Sequence, residues 1–350
     1  MQTTKAEKIL ENLTATGNIV ANILLFCYNI SVNTICTALY NINCQILKIR
    51  LIRKKNMKVW IQAIRPFAFT ATIIPVTVGA ALAYYQNKPV QWMLFPIAMI
   101  SALLYHAATN LVNEYFDFKK GVDRDDTYGS SRVLVDKLLS PKQVLAVGMV
   151  LFFIGTGLGL VLVFFRGWVL LLFGIAGFAG GYAYSGYPFG CKYKALGDIM
   201  VFILMGPLMV VGSFFVLTGQ IGLSSFLVSI PIGILTTLIL HANNTRDITT
   251  DERANISTFA SLIGLRASKI WYCILLSVAY LSIVIMILFD VLPFLSLIVF
   301  LSSPFAVKDV FVMLKVNPNN LKKITSLDEK TARLHLVFGL LLVTSLFISG

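Results

Sequence analysis

Two short segments, far apart in the chain, carry the side chains best suited to chemistry. They read NLVNEYFDFKKGVD and NNTRDITTD, and each contains an Asn followed four residues later by an Asp. A spacing of four places both side chains on one face of a helix, so the two segments form an internal pseudo-repeat. Among their amide and carboxylate side chains are Asn113, Asp117, Asp123, Asn243, Asp247 and Asp251.

Carboxylates and amides interspersed with Lys and Arg favour a particular kind of ligand. Oxygen ligands suit Mg²⁺, which usually keeps several waters and bridges one or two carboxylates to substrate phosphates. Neighbouring bases supply charge-assisted hydrogen bonds to the remaining phosphate oxygens, and the metal makes diphosphate a better leaving group. None of the three His residues is paired with Glu at metal spacing, so we predict no zinc site and expect these His residues to be packing residues.

The elements that must position these segments are strongly apolar. The 350 residues are 57% hydrophobic and only 13% charged, with a mean hydropathy of +0.80, whereas soluble domains carry roughly 25% charged residues. This composition excludes a soluble enzyme, a disordered scaffold and a secreted disulfide module. The five Cys form no CxxC pair, and the net charge of +13 is attributed to membrane topology instead of a nucleic-acid partner.

A membrane-spanning helix needs about 20 mostly apolar residues, and the sequence contains nine such stretches. They are residues 67–85, 91–113, 143–164, 168–185, 198–217, 222–241, 269–288, 291–307 and 333–349. A tenth stretch, 18–40, is interrupted by Asn and is a weaker candidate. We therefore predict an all-α, polytopic membrane protein, a bundle of nine transmembrane helices with a central cavity that faces the cytoplasm.

The distribution of basic residues predicts the orientation of this bundle. Nine spans place most of the 29 Lys and Arg on the side of residues 45–66 and leave Lys88 and Arg166 on the other. Because cytoplasmic loops carry the excess of Lys and Arg, the loops after even-numbered spans are predicted to be cytoplasmic. Both acidic segments then lie on that side, which favours a shared functional site over two ordinary solvated helix ends.

The first 56 residues differ in composition from the rest of the chain. They end in a basic cluster that is followed by Met57, and no signal-peptide cleavage site is evident. We expect residues 1–56 to be an extension, either interfacial or an extra helix, that is dispensable for function. Residues 57–350 are expected to form the functional domain.

Several ordered motifs in residues 57–350 resemble the UbiA superfamily of intramembrane aromatic prenyltransferases. They are IRPFAFTATIIPVTVGAAL, NEYFDFKKGVD, SSRVLVDKLLSPKQV, YPFGCKYKALGDIMVFILMGPL and NNTRDITTDERANISTFASLIG. The DFKKGVD and NNTRD patterns are similar to the branch that prenylates 1,4-dihydroxy-2-naphthoate in menaquinone and vitamin K synthesis. The phrase KYKALGD is most similar to the animal members of that branch.

The resemblance implies a reaction and a set of residues that carry it. An allylic polyprenyl diphosphate would ionise, the cation would be attacked by an electron-rich aromatic acceptor, and the ring would lose a proton and, for a naphthoate, its carboxylate. Asp117, Asp123, Asp247 and Asp251 would be catalytic and, with Asn113 and Asn243, would hold two Mg²⁺. Candidates for binding the diphosphate are Arg65, Lys120, Arg132, Lys192 and Arg246.

Three tyrosines, Tyr182, Tyr184 and Tyr193, are candidates for stabilising the cation through their ring faces, although an interfacial belt is an equal alternative for membrane tyrosines. The resemblance implies a multi-pass protein of the bacterial cytoplasmic membrane that works among membrane lipid. Three other hypotheses stay open: a different aromatic acceptor, a CDP-alcohol phosphotransferase and an ion-coupled transporter. The last two are disfavoured because the acids are split between two segments and lie at span ends instead of the midplane.

Overall fold

Nine apolar helices dominate the computed structural model, which describes residues 57–125, 127 and 131–350. The nine are α1 (Pro66–Tyr85), α2 (Trp92–Lys120), α3 (Pro141–Arg166), α4 (Trp168–Ala183), α5 (Gly197–Thr218), α6 (Leu223–Arg246), α7 (Phe259–Leu288), α8 (Phe294–Leu314) and α9 (Leu327–Ser349). Eight are long and apolar enough to cross a membrane, and α4 is an apolar helix of 16 residues. The all-α prediction is confirmed, while the predictions about residues 1–56, including span 18–40, lie outside the described residues.

The helices that carry the two acidic segments continue past their predicted ends. The apolar stretches were predicted to end at 113 and 241, but α2 runs to Lys120 and α6 to Arg246. Hydropathy marks only where a chain stops being apolar, whereas the backbone stays helical through the polar residues that follow. Asn113, Asp117 and Asn243 therefore lie on regular helix, and Asp247 is the C-cap residue of α6.

Local sequence explains where several helices begin and end. Gly121 ends α2 in the left-handed conformation, with φ 70°, which glycine adopts without steric cost. Ser140 and Gln143 form a reciprocal capping box at the start of α3, and Thr258 and Ser261 form another at the start of α7. These caps fix where the chain enters the helices that surround the cavity described below.

Close helix packing surrounds one side of the cavity. The largest buried cluster joins α1, α6, α7 and α9 through residues such as Ile74, Leu235, Tyr272 and Phe338. The middle of α5 contains a π-helical segment, Leu204–Leu208, a feature frequent at functional sites. Gly206 in that segment lies against Gly233 of α6, where a side chain on either residue would collide with the other backbone.

Candidate active site

A cavity of about 580 Å³ opens among α1 to α6 and changes character along its length. Its polar end is lined by Arg65, Asn110, Asn113, Asp117, Asp123, Tyr184, Lys192, Asn243, Asn244, Asp247 and Asp251. Its other end is lined by apolar and aromatic residues that include Phe153, Phe173, Phe178 and Leu208. One pocket therefore joins a charged compartment to an apolar one.

The first Asn–Asp pair, Asn113 and Asp117, contacts a lysine from another part of the chain. Lys192 donates from Nζ to Asn113 Oδ1 and to Asp117 Oδ2, both at 2.7 Å. Asn113 itself donates to Asp117 Oδ2 at 2.8 Å, and the Tyr193 hydroxyl donates to Asp117 Oδ1 at 2.8 Å. All accepting oxygens of this Asn–Asp pair are therefore held by neighbouring donors.

The second Asn and Asp are held by an arginine in a matching arrangement. Arg246 makes a bidentate salt bridge with Asp247, donating from Nε to Oδ1 at 2.9 Å and from Nη2 to Oδ2 at 2.7 Å. The same guanidinium donates to Asn243 Oδ1 and, from Nη1, to Asp328 Oδ2 at 3.1 Å. Each half of the pseudo-repeat thus pairs its Asn and Asp with one cation, Lys192 in the first half and Arg246 in the second.

The loop that carries Lys192 is tied to the segment that follows the second acidic motif. Ala195 donates its backbone N–H to Ser257 O at 2.6 Å, and Ser257 donates to Tyr193 O at 3.0 Å. Burial opposes the charge on Lys192, but Asp117 and Tyr184 outweigh it and raise the pKa of this lysine. Burial and Asp117 also raise the pKa of Tyr193, so both groups stay protonated and act as donors.

Two other carboxylates, half-buried Asp123 and buried Asp251, lie close to like charges and form no salt bridge among the described residues. Burial, then the neighbouring Asp117 and Glu114, raises the pKa of Asp123 to about 8. Burial and Asp247 raise the pKa of Asp251 to about 7. Asp123 Oδ2 is buried and accepts no hydrogen bond from the described residues. Crowded, partly unsatisfied carboxylates of this kind are what a divalent cation would stabilise.

The donor set fits magnesium only together with other oxygen ligands. Within the described ranges, no three His, Cys, Asp or Glu side chains converge closely enough to hold a metal by themselves. Mg²⁺ in proteins usually takes one or two carboxylates and completes its octahedron with water and phosphate oxygens. The acidic residues of this cavity, with the Asn amides beside them, meet that requirement.

Some predicted site residues lie away from the cavity wall. Lys120 Nζ lies 4.7 Å from the centre of the Tyr193 ring, and exposed Arg132 pairs with Asp136 at 2.8 Å. The Tyr182 hydroxyl donates to the backbone oxygen of Tyr187 at 3.1 Å. In the described part of the chain, the predicted site residues that do not line the cavity are Lys120, Arg132, Tyr182, Tyr193 and Arg246.

The structure also adds acidic residues that the spacing argument missed. Asp198 is buried, accepts from the Asn244 amide at 3.1 Å and contacts His241 Nδ1 at 2.9 Å, so it fixes a residue of the cavity wall. Buried Glu114 lies 3.7 Å from Arg65 and accepts from the Ser131 N–H at 3.3 Å. Asp198 stands alone in an apolar stretch, and an isolated acid next to a span was the available signal.

The fold and the site describe an apolar bundle of helices with one cavity that joins an acidic end to an apolar end. Residues 72–326 match the UbiA prenyltransferase family, and the chain belongs to that family. It is 35% identical to the 1,4-dihydroxy-2-naphthoate octaprenyltransferase of Bacillus subtilis (strain 168), over 82% of this chain and 92% of that protein. It is 33% identical to the UbiA prenyltransferase domain-containing protein 1 of Danio rerio, over 83% and 84% of the two chains.

Solved structures share the fold at low sequence identity. A UbiA homolog from Aeropyrum pernix K1 superposes with a TM-score of 0.60 at 13% identity, covering 78% of this chain and 97% of that one. A UbiA homolog from Archaeoglobus fulgidus, bound to GPP and Mg²⁺, gives 0.52 at 14% identity, covering 82% and 99%. Family membership makes this chain a prenyltransferase and disfavours the phosphotransferase and transporter hypotheses.

Proposed function

We propose that this protein transfers a polyprenyl chain from its diphosphate to 1,4-dihydroxy-2-naphthoate, as a step in menaquinone synthesis. The observation that carries the proposal is the pair of Asn–Asp sets that line one cavity, with an apolar compartment beyond them. The Bacillus subtilis relative named for this acceptor is 35% identical. Because the animal relatives carry names that specify no acceptor, a different aromatic acceptor is the alternative to be tested.

The polar end would bind the diphosphate. Asp117, Asp123, Asp247 and Asp251, with Asn113 and Asn243, would hold two Mg²⁺, which when bound neutralise the charge that develops on the leaving diphosphate. Arg65 and Lys192 line the same end and supply charge-assisted hydrogen bonds to phosphate oxygens. Tyr193 keeps Asp117 in position through its hydroxyl, and Arg246 does the same for Asp247 from outside the cavity.

The apolar end would accommodate the reacting carbon atoms. When the allylic C–O bond breaks, its electron pair leaves with the diphosphate, and a ring carbon of the acceptor donates the pair that forms the new C–C bond. The ring then loses a proton or, in a naphthoate, its carboxylate as CO₂, and the electron pair of the broken bond restores the aromatic ring. The Tyr184 ring lines the cavity next to the charged end and can stabilise the allylic cation. Phe153, Phe173 and Phe178 exclude water that would otherwise capture that cation.

A transfer assay with matched variants tests the proposal. Purified protein is given a polyprenyl diphosphate, Mg²⁺ and a panel of aromatic acceptors, and the prenylated product is identified by mass spectrometry. Asp117→Asn and Asp247→Asn should each lower turnover roughly a hundredfold or more, because a carboxylate at the leaving group is lost. Asp290→Asn, an exposed position between α7 and α8, is the control and should be fully active.

Removal of the metal completes the experiment. EDTA should abolish transfer and added Mg²⁺ should restore it. Full activity in metal-free buffer would refute the magnesium assignment. Turnover of another aromatic acceptor in preference to the naphthoate would refute the acceptor while leaving prenyl transfer intact.

A further inference from the structure

The serine and threonine hydroxyls described in the apolar half of the cavity all donate their hydrogen bonds to backbone oxygens of the protein. Ser101 donates to Gly155 O, Thr109 to Tyr105 O, Thr156 to Phe152 O, Ser213 to Val76 O and Thr236 to Ile232 O, at 2.6 to 2.9 Å. Since the single Thr156 hydrogen is used in this way, the Tyr105 hydroxyl must donate in its contact with Thr156 at 2.9 Å. These hydroxyls offer no donor to a ligand.

His106 is different, because one of its two ring nitrogens has no partner among the described residues. Its Nδ1 lies 2.7 Å from the Thr72 hydroxyl of α1, and the ring packs edge-on against Phe69 with centroids 5.4 Å apart. His106 lines the cavity. Its Nε2 makes no hydrogen bond with any residue that the structure describes.

The contact with Thr72 decides which nitrogen carries the proton. Thr72 is completely buried, and His106 Nδ1 is the one partner its hydroxyl has among the described residues. If Nδ1 donated, the Thr72 hydrogen would be buried without an acceptor, which costs about 1–3 kcal/mol. Thr72 therefore donates to Nδ1, and the neutral ring keeps its hydrogen on Nε2.

The position of His106 along α2 suits a group that meets the second substrate. His106, Asn110, Asn113 and Asp117 share one face of the helix at spacings of four, three and four. At 1.5 Å per residue, His106 lies about 16 Å along the axis from Asp117. That separation leaves the diphosphate at one end and an aromatic ring near His106. A prenyl chain has no oxygen that could accept a hydrogen bond there.

We propose that His106 determines acceptor specificity by donating a hydrogen bond from Nε2–H to an oxygen substituent of the aromatic acceptor. The inference rests on the proposed prenyl transfer and names the group that orients its second substrate. A ring hydroxyl and a ring carboxylate offer the same acceptor chemistry, so both are candidates for that oxygen. Because the hydroxyls described for the apolar half donate within the protein, this N–H turns the ring so that one carbon faces the allylic cation, and it discriminates against rings without the oxygen.

Two substitutions separate this role from the contact with Thr72. In His106→Asn the side-chain oxygen can accept from Thr72 as Nδ1 does, but the variant has no atom at the Nε2 position. In His106→Gln the longer amide can place an N–H near that position. We expect His106→Asn to raise the acceptor KM and Kd about tenfold, the worth of one buried hydrogen bond, and His106→Gln to recover most of the loss. The KM of the prenyl diphosphate should not change in either variant.

Acceptor analogues identify the oxygen that is bound. Analogues that lack the carboxylate or one hydroxyl are compared on the wild type and on His106→Asn. The analogue without the contacted oxygen should bind both proteins equally, whereas the others should still distinguish them. Equal losses for every analogue, or a rise in the prenyl diphosphate KM as large as that for the acceptor, would overturn the proposal in favour of a packing role.

Thr72→Val provides an independent variant in case His106→Asn fails to fold. Thr72 does not belong to the cavity wall described above, and its replacement removes the hydroxyl that fixes the proton on Nε2, so the acceptor Kd should rise about threefold. Acceptor binding is measured by calorimetry without turnover. Wild-type protein that transfers no prenyl group would refute the proposed function. An acceptor Kd that is unchanged in the variants would refute the role of His106 alone.

Discussion

Asp123 has fewer hydrogen-bond partners among the described residues than Asp117 and Asp247, which line the same cavity. Lys192 and Tyr193 hold Asp117, and Arg246 holds Asp247. Asp123 Oδ2 has no hydrogen bond within the described residues, and its pKa is raised to about 8 by burial and by Asp117 and Glu114. The free energy of unfolding of metal-free protein should therefore depend on pH through the ionisation of Asp123.

The sign of that coupling follows from the two protonation states. The ordinary pKa of Asp is about 3.9, so between about pH 4 and 8 folded Asp123 binds a proton that the unfolded chain has released. The free energy of unfolding of metal-free protein should fall as pH rises through this window. Asp123→Asn removes this contribution. Its Tm in EDTA should therefore decline less between pH 6 and 8.5 than that of the wild type.

Thermal unfolding in detergent at several pH values measures the difference. Asp251, whose pKa is raised to about 7, contributes with the same sign, so some decline should persist in Asp123→Asn. Parallel Tm curves for the two proteins would show that Asp123 is ionised across the whole range. Mg²⁺ with a prenyl diphosphate should oppose the decline, because binding a metal requires the ionised carboxylates.

At the scale of the helices, close approach of backbones builds the cavity wall. A β-carbon on Gly79 of α1 would lie 2.5 Å from Val210 O and 2.9 Å from Ser213 Cβ of α5. No side-chain rotation can relieve a contact with a backbone oxygen. The separation of α1 and α5 is therefore set by the absence of a side chain at this position.

Gly79→Ala should consequently push α1 and α5 apart and destabilise the protein. Overpacking of this kind costs about 1–3 kcal/mol, so Tm should fall by several degrees and turnover should decrease. Gly157→Ala is the matched control, because Gly157 is exposed on α3 and a β-carbon there would meet nothing within 4 Å. Its Tm should be unchanged or slightly higher, since Ala favours helix over Gly. Equal effects at both positions would refute the packing argument.

At the scale of the whole molecule, we propose from the charge distribution that the active site lies on the cytoplasmic side of the membrane. We expect cysteines at Lys119 and Thr249 to react with a membrane-impermeant thiol reagent from one face, and a cysteine at Lys88 from the other. The native cysteines are replaced by Ser for this experiment. Labelling of Lys119→Cys and Thr249→Cys from opposite faces would refute the hypothesis of a shared site, because one diphosphate cannot bridge the bilayer.

We also propose that residues 57–350 contain the complete transferase. Both acidic segments lie after residue 109 of the sequence, and the family match begins at residue 72. A chain that starts at Met57 keeps Lys58 and Arg65 to anchor the first span, so it should insert with the same orientation and keep most of its activity. Product formed per milligram is compared with that of the full chain. A loss above about tenfold, roughly 1.4 kcal/mol of transition-state stabilisation, would place part of the enzyme before Met57.

Local properties of the sequence determined the class of protein and the two acidic sets. Hydropathy counted along the chain indicates apolar helices, because burial in lipid depends on each side chain's own transfer free energy. Helical spacing places Asn113 with Asp117 and Asn243 with Asp247, because residues four apart share a face whatever the helix packs against. The same reasoning cannot locate helix ends, which depend on backbone hydrogen bonds at Gly121 and similar caps.

Only the tertiary structure decided which cation the first acidic pair receives. The sequence offers many basic residues near the acids, yet Lys192 reaches the first pair and Arg246 the second, while Arg132 turns to Asp136. It also decided that His106 presents an N–H to the cavity, because that depends on Thr72 of another helix. The contacts of Lys192 with Asp117 and of His106 with Thr72 join residues distant in the chain, and they are set by how helices and loops pack, which no local spacing encodes.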